Sequence, residues 1–399
     1  FGFGKLATYD YFAHVERALA ARFADAGERL ETHVVDVAPT ASIRRRAVRL
    51  AELVALTAGE AGPIHLLGHS TGGLDARLVA SPSARLPITS EKLAWLVRLR
   101  SLTTMSTPHY GTPLAGFFAT VSGQRMLYAV SALTFIALSL GAPPLAAASA
   151  LVVGLGRIDR AIGVELQMLD RTTDALLRAL EPATSQEVRL YLDAIRRDQG
   201  AVIQLTPEAM DLFQAGIEDR EGVHYQCTCA AAPPPSPGAL ARSLVSPWRA
   251  LSSALFTTLY GITARYDERY PCAAPDAGEA TEDLLRRAFG RAPGARANDG
   301  VVPTRSQLWG EVAWAGWADH LDVLGHFPGG ARDDRSILRF FSGGARRRAA
   351  RVEAARSAAV DRAAETGGAA PSPRADAVHV DWLTSGAGFD ERSFGTLMD

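Results

Sequence analysis

Residues 63–81, Pro63-Ile64-His65-Leu66-Leu67-Gly68-His69-Ser70-Thr71-Gly72-Gly73-Leu74-Asp75-Ala76-Arg77-Leu78-Val79-Ala80-Ser81, decide the fold. Pro63 to Leu67 form a short apolar strand that stops at Gly68, and from Ser70 onward the pattern turns helical. Between them sits Gly68-His69-Ser70-Thr71-Gly72, a G-x-S-x-G sequence in the strand, turn and helix setting that a nucleophile elbow requires. Such a turn forces the serine into a strained conformation, and side chains in place of the flanking glycines are expected to collide with neighbouring backbone. The serine also arrives at a helix N-terminus, where backbone N–H groups and the helix dipole favour a developing oxyanion, so the N–H of Thr71 is the expected first oxyanion donor. His69 is expected to pack beneath the elbow rather than carry protons.

Strand and helix signals alternate on either side of this turn. The stretch from Tyr11 to Ala26 has helical spacing, Val34-Val35-Asp36-Val37 reads as a β-branched strand stopped by Pro39, and 42–59 reads as an amphipathic helix. Further strands are expected within 97–105 and 222–230. This alternation predicts an α/β fold, a mostly parallel sheet with helices on both faces. From Phe117 to about Gly200 the sequence is largely helical, with an uncharged run from Met126 to Gly156 broken at Gly141-Ala142-Pro143-Pro144. A membrane span needs about 20 continuous apolar residues, so the broken run is read as a helical hairpin, either a buried insert or a lid. The division expected is 1–116 for the first part of the core with the elbow, 117–200 for the helical insertion, 201–342 for the second part of the core, and 343–399 for a helical and linker tail docking on it.

Composition excludes several classes. With 399 residues, 47% hydrophobic and 21% charged, the chain can bury a large core. Lys+Arg 42 against Asp+Glu 43 leaves a net charge of -1, without the basic footprint of a nucleic-acid binder. The dense basic cluster Arg346, Arg347, Arg348 and Arg351 reads as a solvated helix face. Cys227, Cys229 and Cys272 are too few for a disulfide scaffold and poorly spaced for zinc; Cys272 pairs with one of the others only in an oxidising compartment, and otherwise all three are small half-buried residues.

An elbow serine needs a base, and the base needs an acid to hold its tautomer; in the elbow-bearing α/β enzymes the chain order is Ser, then Asp or Glu, then His. His320 satisfies that order, with Asp299 in Asn298-Asp299-Gly300-Val301-Val302-Pro303 as the acid. His326 and His379 are its rivals as base, and a turn-forming Asp-Gly is the other reading of Asp299.

Five blocks, "HLLGHSTGGLDARLVA" (65–80), "LTTMSTPHYGTPLAGF" (102–117), "QLTPEAMDLF" (204–213), "ANDGVVPTRSQLWG" (297–310) and "DHLDVLGHF" (319–327), resemble the bacterial true lipases of the Pseudomonas and Burkholderia kind. The resemblance covers roughly 1–120 and 200–330 and implies an α/β-hydrolase fold, with Ser70, Asp299 and His320 matching the triad. It implies a secreted enzyme acting on hydrophobic, triacylglycerol-like esters at a lipid–water interface, with the insertion in the lid's place. A polyester depolymerase or short-chain carboxylesterase is the alternative within the class, and a hydrolase-like binding module the alternative outside it. Phe1-Gly2-Phe3-Gly4 lacks a secretory leader and resembles the segment just after that family's oxyanion loop, so the chain is expected to start mid-structure, beyond a strand and a His-Gly dipeptide. The family's structural calcium would be held partly by Asp322; His326 stands where the family has an amide, and Asp276 and Asp283 are loose candidates for the upstream ligand. No cofactor is implied for the chemistry itself.

Overall fold

The computed structural model describes residues 5–6, 9–38, 40–140, 174, 177–178, 182–238, 243, 247–327, 381 and 383–399. The elements used below are, in chain order, the antiparallel pair β1 (Lys5–Leu6) and β2 (Tyr9–Asp10), α1 (Ala13–Asp25), α2 (Ile43–Thr57), β3 (Ile64–His69) and α3 (Thr71–Ala80). They continue with β4 (Leu99–Met105), α4 (Pro113–Phe118), α5 (Val121–Leu140), α6 (Pro182–Arg197), α7 (Gly200–Gln204) and α8 (Pro207–Gly216). After these come β5 (His224–Ala231), α9 (Pro247–Thr263), α10 (Glu279–Phe289), β6 (Glu311–Trp317) and α11 (Glu391–Met398).

β3, β4, β5 and β6 lie in that order, every pair parallel. The register sets His69 beside Met105, Met105 beside Thr228, and Ala231 beside Trp317. The strands therefore end together, and the loops leaving their C-terminal ends share one edge of the sheet, where α/β proteins place their ligands. Helices cover both faces. α2 and α3 pack with Leu66, Leu99 and Leu102, while α10 buries Leu285 and Phe289 against Cys227, Cys229 and Ala231. On the opposite side of β5 from those cysteines, Ala230 packs with Met105 and with Tyr11 and Val15 at the start of α1. This sheet, with an elbow serine after β3 and helices on both sides, is an α/β-hydrolase fold.

Two sequence expectations change. Val34–Val37 lies in a stretch without regular structure, its three valines half-buried. β propensity expresses packing against a neighbouring strand, and β3 is the edge of the sheet among the described residues, so the run has no ladder to join. The cysteines are more buried than expected: Cys227 and Cys229 are wholly inside and all three thiols are free.

The first part of the insertion belongs to a core. Met126, Ala129 and Ala132 of α5 are fully buried with Val188 and Ile195 of α6 and with Leu251, Phe256 and Leu259 of α9. The rest of the uncharged run, from 141 to 156, lies outside the described residues, as do Arg346, Arg347, Arg348, Arg351 and His379. Among the described residues no helix is long and apolar enough to cross a membrane. At the C-terminus Phe389, Leu397 and Met398 pack with Tyr11, Val15, Val323, Leu324 and Phe327, and Arg22 pairs with Asp399 at 2.7 Å.

α2 begins at Ser42, whose hydroxyl accepts from the Arg45 N–H, and it lies close on α3 because Ala47 and Ala51, one turn apart, present only methyl groups to Ala76 and Ala80. A buried ion pair joins the two helices: Arg46 meets Asp75 at 2.8 Å with both side chains almost fully enclosed. Burial raises the Asp75 carboxyl above its ordinary range and the Arg46 charge opposes that rise. Removing one partner of such a pair typically costs about 3–5 kcal/mol, because the other charge stays buried. Asp75→Ala is therefore expected to lose about that much stability in urea unfolding, and a loss under about 1 kcal/mol would show that the pair is not what holds α2 to α3.

Candidate active site

Ser70 sits at φ 55 and ψ -129, a left-handed conformation that a side-chain-bearing residue adopts only under constraint. Its N–H donates to Met105 O at 2.9 Å, which pins the turn to the end of β4. A Cβ on Gly68 would lie 2.5 Å from the backbone of Gly72 and Gly73, and one on Gly73 would lie 2.2 Å from the Thr107 hydroxyl. Nothing lies within 4 Å of a Cβ on Gly72. The expected collision thus holds at the first glycine of the motif and at the glycine following it, while the motif's second glycine faces open space. Thr71 is the first residue of α3, so its N–H is among those that no intrahelical carbonyl takes.

Asp299 and His320 come together. His320 Nδ1 lies 2.8 Å from Asp299 Oδ2, and the backbone N–H of His320 donates to Asp299 O at 2.9 Å. The carboxylate is fully buried, with Oδ1 accepting from the N–H groups of Val301 (2.9 Å) and Val302 (2.7 Å). Gln307 adds a longer contact to Oδ2, 3.3 Å from its side-chain amide. With Nδ1 donating to the carboxylate, His320 Nε2 is left with a lone pair, and that atom is buried with no hydrogen-bond partner among the described residues.

His69 is more than packing. Its Nε2 lies 2.8 Å from His320 O and its Nδ1 lies 3.0 Å from the Tyr11 hydroxyl. Burial, with the nearby His320 charge second, pushes its pKa well below the usual histidine range, so the ring is neutral. A neutral ring fits these partners with Nε2–H donating to the carbonyl and Nδ1 accepting from Tyr11. The residue before Ser70 thereby holds the backbone of His320, and the two imidazoles lie 4.6 Å apart. His326, the nearer rival, has Nε2 at 3.1 Å from the Tyr11 carbonyl, while it is His320 that meets the Asp299 carboxylate.

Beside Ser70 is an apolar cavity of about 20 Å³, room for one water molecule. Pro108, Leu114, Phe118, Val202, Leu205 and Val301 line it, drawn from the loop after β4, from α4 and α7, and from the Asp299 loop. Thr112 ties two of these walls by donating its hydroxyl to Val301 O at 2.7 Å. Ser70 and His320 are only 3% and 4% exposed, so the site is shut.

Asp322 accepts the Asp319 N–H on Oδ2 at 2.9 Å and leaves Oδ1 buried with no hydrogen-bond partner among the described residues. Asp319 Oδ1 is taken by the N–H groups of Leu321 and Asp322. Burial raises both carboxyls, Asp319 to about 8 with Asp381 adding to the shift, and Asp322 well above its ordinary range with Asp319 adding to it. Calcium binds six to eight oxygens, with carboxylates ionised. Asp276 instead caps Gly278 N–H, and Asp283 pairs with Arg286 on α10. Among the described residues no group of three or more His, Cys, Asp or Glu is arranged to hold a metal.

No protein-family model matches this sequence, and no curated protein matches it. Among solved structures the chain is similar to lipase 1 from Pelosinus fermentans, at 15% identity and a TM-score of 0.46, over 87% of this chain and 95% of that one. It is similar to EstA from Clostridium botulinum, at 18% identity and 0.44, over 85% and 84%. It is also similar to Staphylococcus hyicus lipase, at 17% and 0.41, over 90% and 94%.

The two motif glycines should separate on mutation. Gly72→Ala is expected to leave stability unchanged or raise it by up to about 1 kcal/mol, as at an open helical position. Gly68→Ala is expected to cost about 3 kcal/mol or more by forcing backbone apart. Equal losses in urea unfolding would show that one common constraint acts at both.

Proposed function

We propose that this chain is a carboxylic ester hydrolase in which Ser70 is the nucleophile, His320 the base and Asp299 the acid that orients it. The observation that carries the reading is the Asp299–His320 pair at 2.8 Å, which leaves a buried imidazole lone pair on a loop held by the residue next to Ser70. In the reaction Ser70 Oγ attacks the ester carbonyl and passes its proton to His320 Nε2. Asp299 stabilises the imidazolium, the Thr71 N–H receives the developing oxyanion, and His320 returns the proton to the departing alcohol. Water activated by the same histidine then releases the acid and frees Ser70.

The substrate class is an ester with a hydrophobic acyl chain. The apolar lining beside Ser70 supports this, as does the near-neutral charge of the chain. An acyl chain enters only if α4 and α7, which flank the 117–200 insertion, move, and the insertion that joins them is proposed to move with them as the lid, its core-packed helices α5 and α6 shifting as a unit at a lipid–water interface.

Ser70→Ala should abolish turnover of a p-nitrophenyl ester with the fold intact, because the hydroxyl adds little packing. Asp299→Asn should lower kcat by about 10⁴, the loss typical when the acid no longer fixes the histidine tautomer. Retained turnover in purified Ser70→Ala protein would overturn the assignment.

A further inference from the structure

A second cleft opens beyond the C-terminal ends of β5 and β6 and shares no lining residue with the cavity at Ser70. Its volume is about 380 Å³, within the range of small-ligand pockets. The walls are aromatic and aliphatic, with Tyr260 from α9, Phe289 from the end of α10 and Trp317 from the end of β6. Trp317 is 41% exposed, its ring edge-on to Phe289 at 5.3 Å, so a large aromatic surface is left open to solvent in the cleft.

Two charges break this apolar lining. Arg291 and Arg296 come from one short loop, both are exposed, and neither side chain has an ion-pair or hydrogen-bond partner among the described residues. Arg305, further along, is by contrast paired with Glu282 at 2.6 Å. A guanidinium presents planar donors that match a carboxylate, and the aromatic walls match a hydrocarbon.

We infer that this cleft binds a hydrophobic monocarboxylate, with Arg291 and Arg296 holding the carboxylate and Tyr260, Phe289 and Trp317 enclosing the chain. The volume equals about a dozen water-sized units, which suits a medium-length chain. A small inorganic anion would leave the apolar walls uncovered, and a neutral hydrocarbon would leave the two cations without a partner. The occupant would lie behind the catalytic loop: Ala297 lines the cleft, and Asn298 is fixed by the Ala232 N–H on its carbonyl (2.9 Å) and by its amide on Arg296 O (3.0 Å), one residue before Asp299. That this ligand is also the enzyme's product class rests on the function proposed above; the binding itself does not.

The test is fluorescence quenching of the full chain by ω-bromoundecanoate, with ω-bromoundecanol as the uncharged control, run in a Ser70→Ala background so that hydrolysis plays no part. Saturable quenching is expected, lost in Trp317→Phe and weakened at least tenfold both by Arg291→Gln/Arg296→Gln and by exchange of acid for alcohol. Arg291, Arg296 and Trp317 are exposed and Ser70→Ala is the common background of every arm, so differences between the arms do not come from folding. Saturable quenching that persists in Trp317→Phe would place the ligand elsewhere, and equal affinity for acid and alcohol, or no effect of the double glutamine variant, would overturn the arginine assignment.

Discussion

The tight turn at Ser70 constrains everything around it. A serine at φ 55 fits between a strand and a helix only if α3 leaves close against the turn, and Gly68 and Gly73 are what allow that approach. Once α3 is fixed, its other residues are committed. Asp75 faces α2 and captures Arg46, and Arg77 points inward, where its guanidinium lies 3.2 Å from the centre of the Trp309 ring and donates to His109 Nδ1 at 3.0 Å. Burial lowers the Arg77 pKa to about 10, still far above neutrality, so the buried cation depends on the indole face, on His109 and on Gln214. One turn thus sets the position of the loop after β4 and of the approach to β6.

The His320 loop is held from separate sides. Asp299 fixes the ring, His69 fixes the carbonyl, and the chain just beyond, Val323, Leu324 and Phe327, is packed by α1 and by Phe389, Leu397 and Met398 of the C-terminal segment. Tyr11 links two of these supports by donating to His69 and offering its carbonyl to His326. A base that must keep one tautomer and one orientation through proton transfer gains from such redundancy. Meanwhile the cavity beside Ser70 is nearly closed.

Much of this was legible in the sequence because the signals were local. The elbow announces itself in five residues, the order Ser, Asp, His follows from the fold, and α1, α2, α3 and β3 to β5 follow hydrophobic period and turn residues. What failed was relational. Val34–Val37 has strand composition but no neighbouring strand among the described residues. Gly72 looks like a required glycine but its surroundings are open, whereas Gly73, outside the motif, meets Thr107. Two partners of the site, Tyr11 and Gln307, carry no mark in the sequence, because each matters through a contact with residues remote in the chain or through a turn the sequence does not display. His69 reads in the sequence as packing beneath the elbow, and its bond to the His320 carbonyl, which spans 251 positions, has no sequence signal. The buried carboxyls at Asp319 and Asp322 were readable only in half: one was marked by its place after His320, the other by nothing.

The central claim is that Ser70 is made reactive by His320 held on Asp299. The most direct measurement is covalent labelling of the purified chain with a fluorophosphonate, followed by peptide mass mapping and a labelling rate for the parent and for His320→Ala. The account predicts one phosphonylated site, Ser70, and a rate lowered at least a hundredfold without the imidazole, in line with the usual contribution of a general base. Label on another residue, or an unchanged rate in His320→Ala, would contradict it.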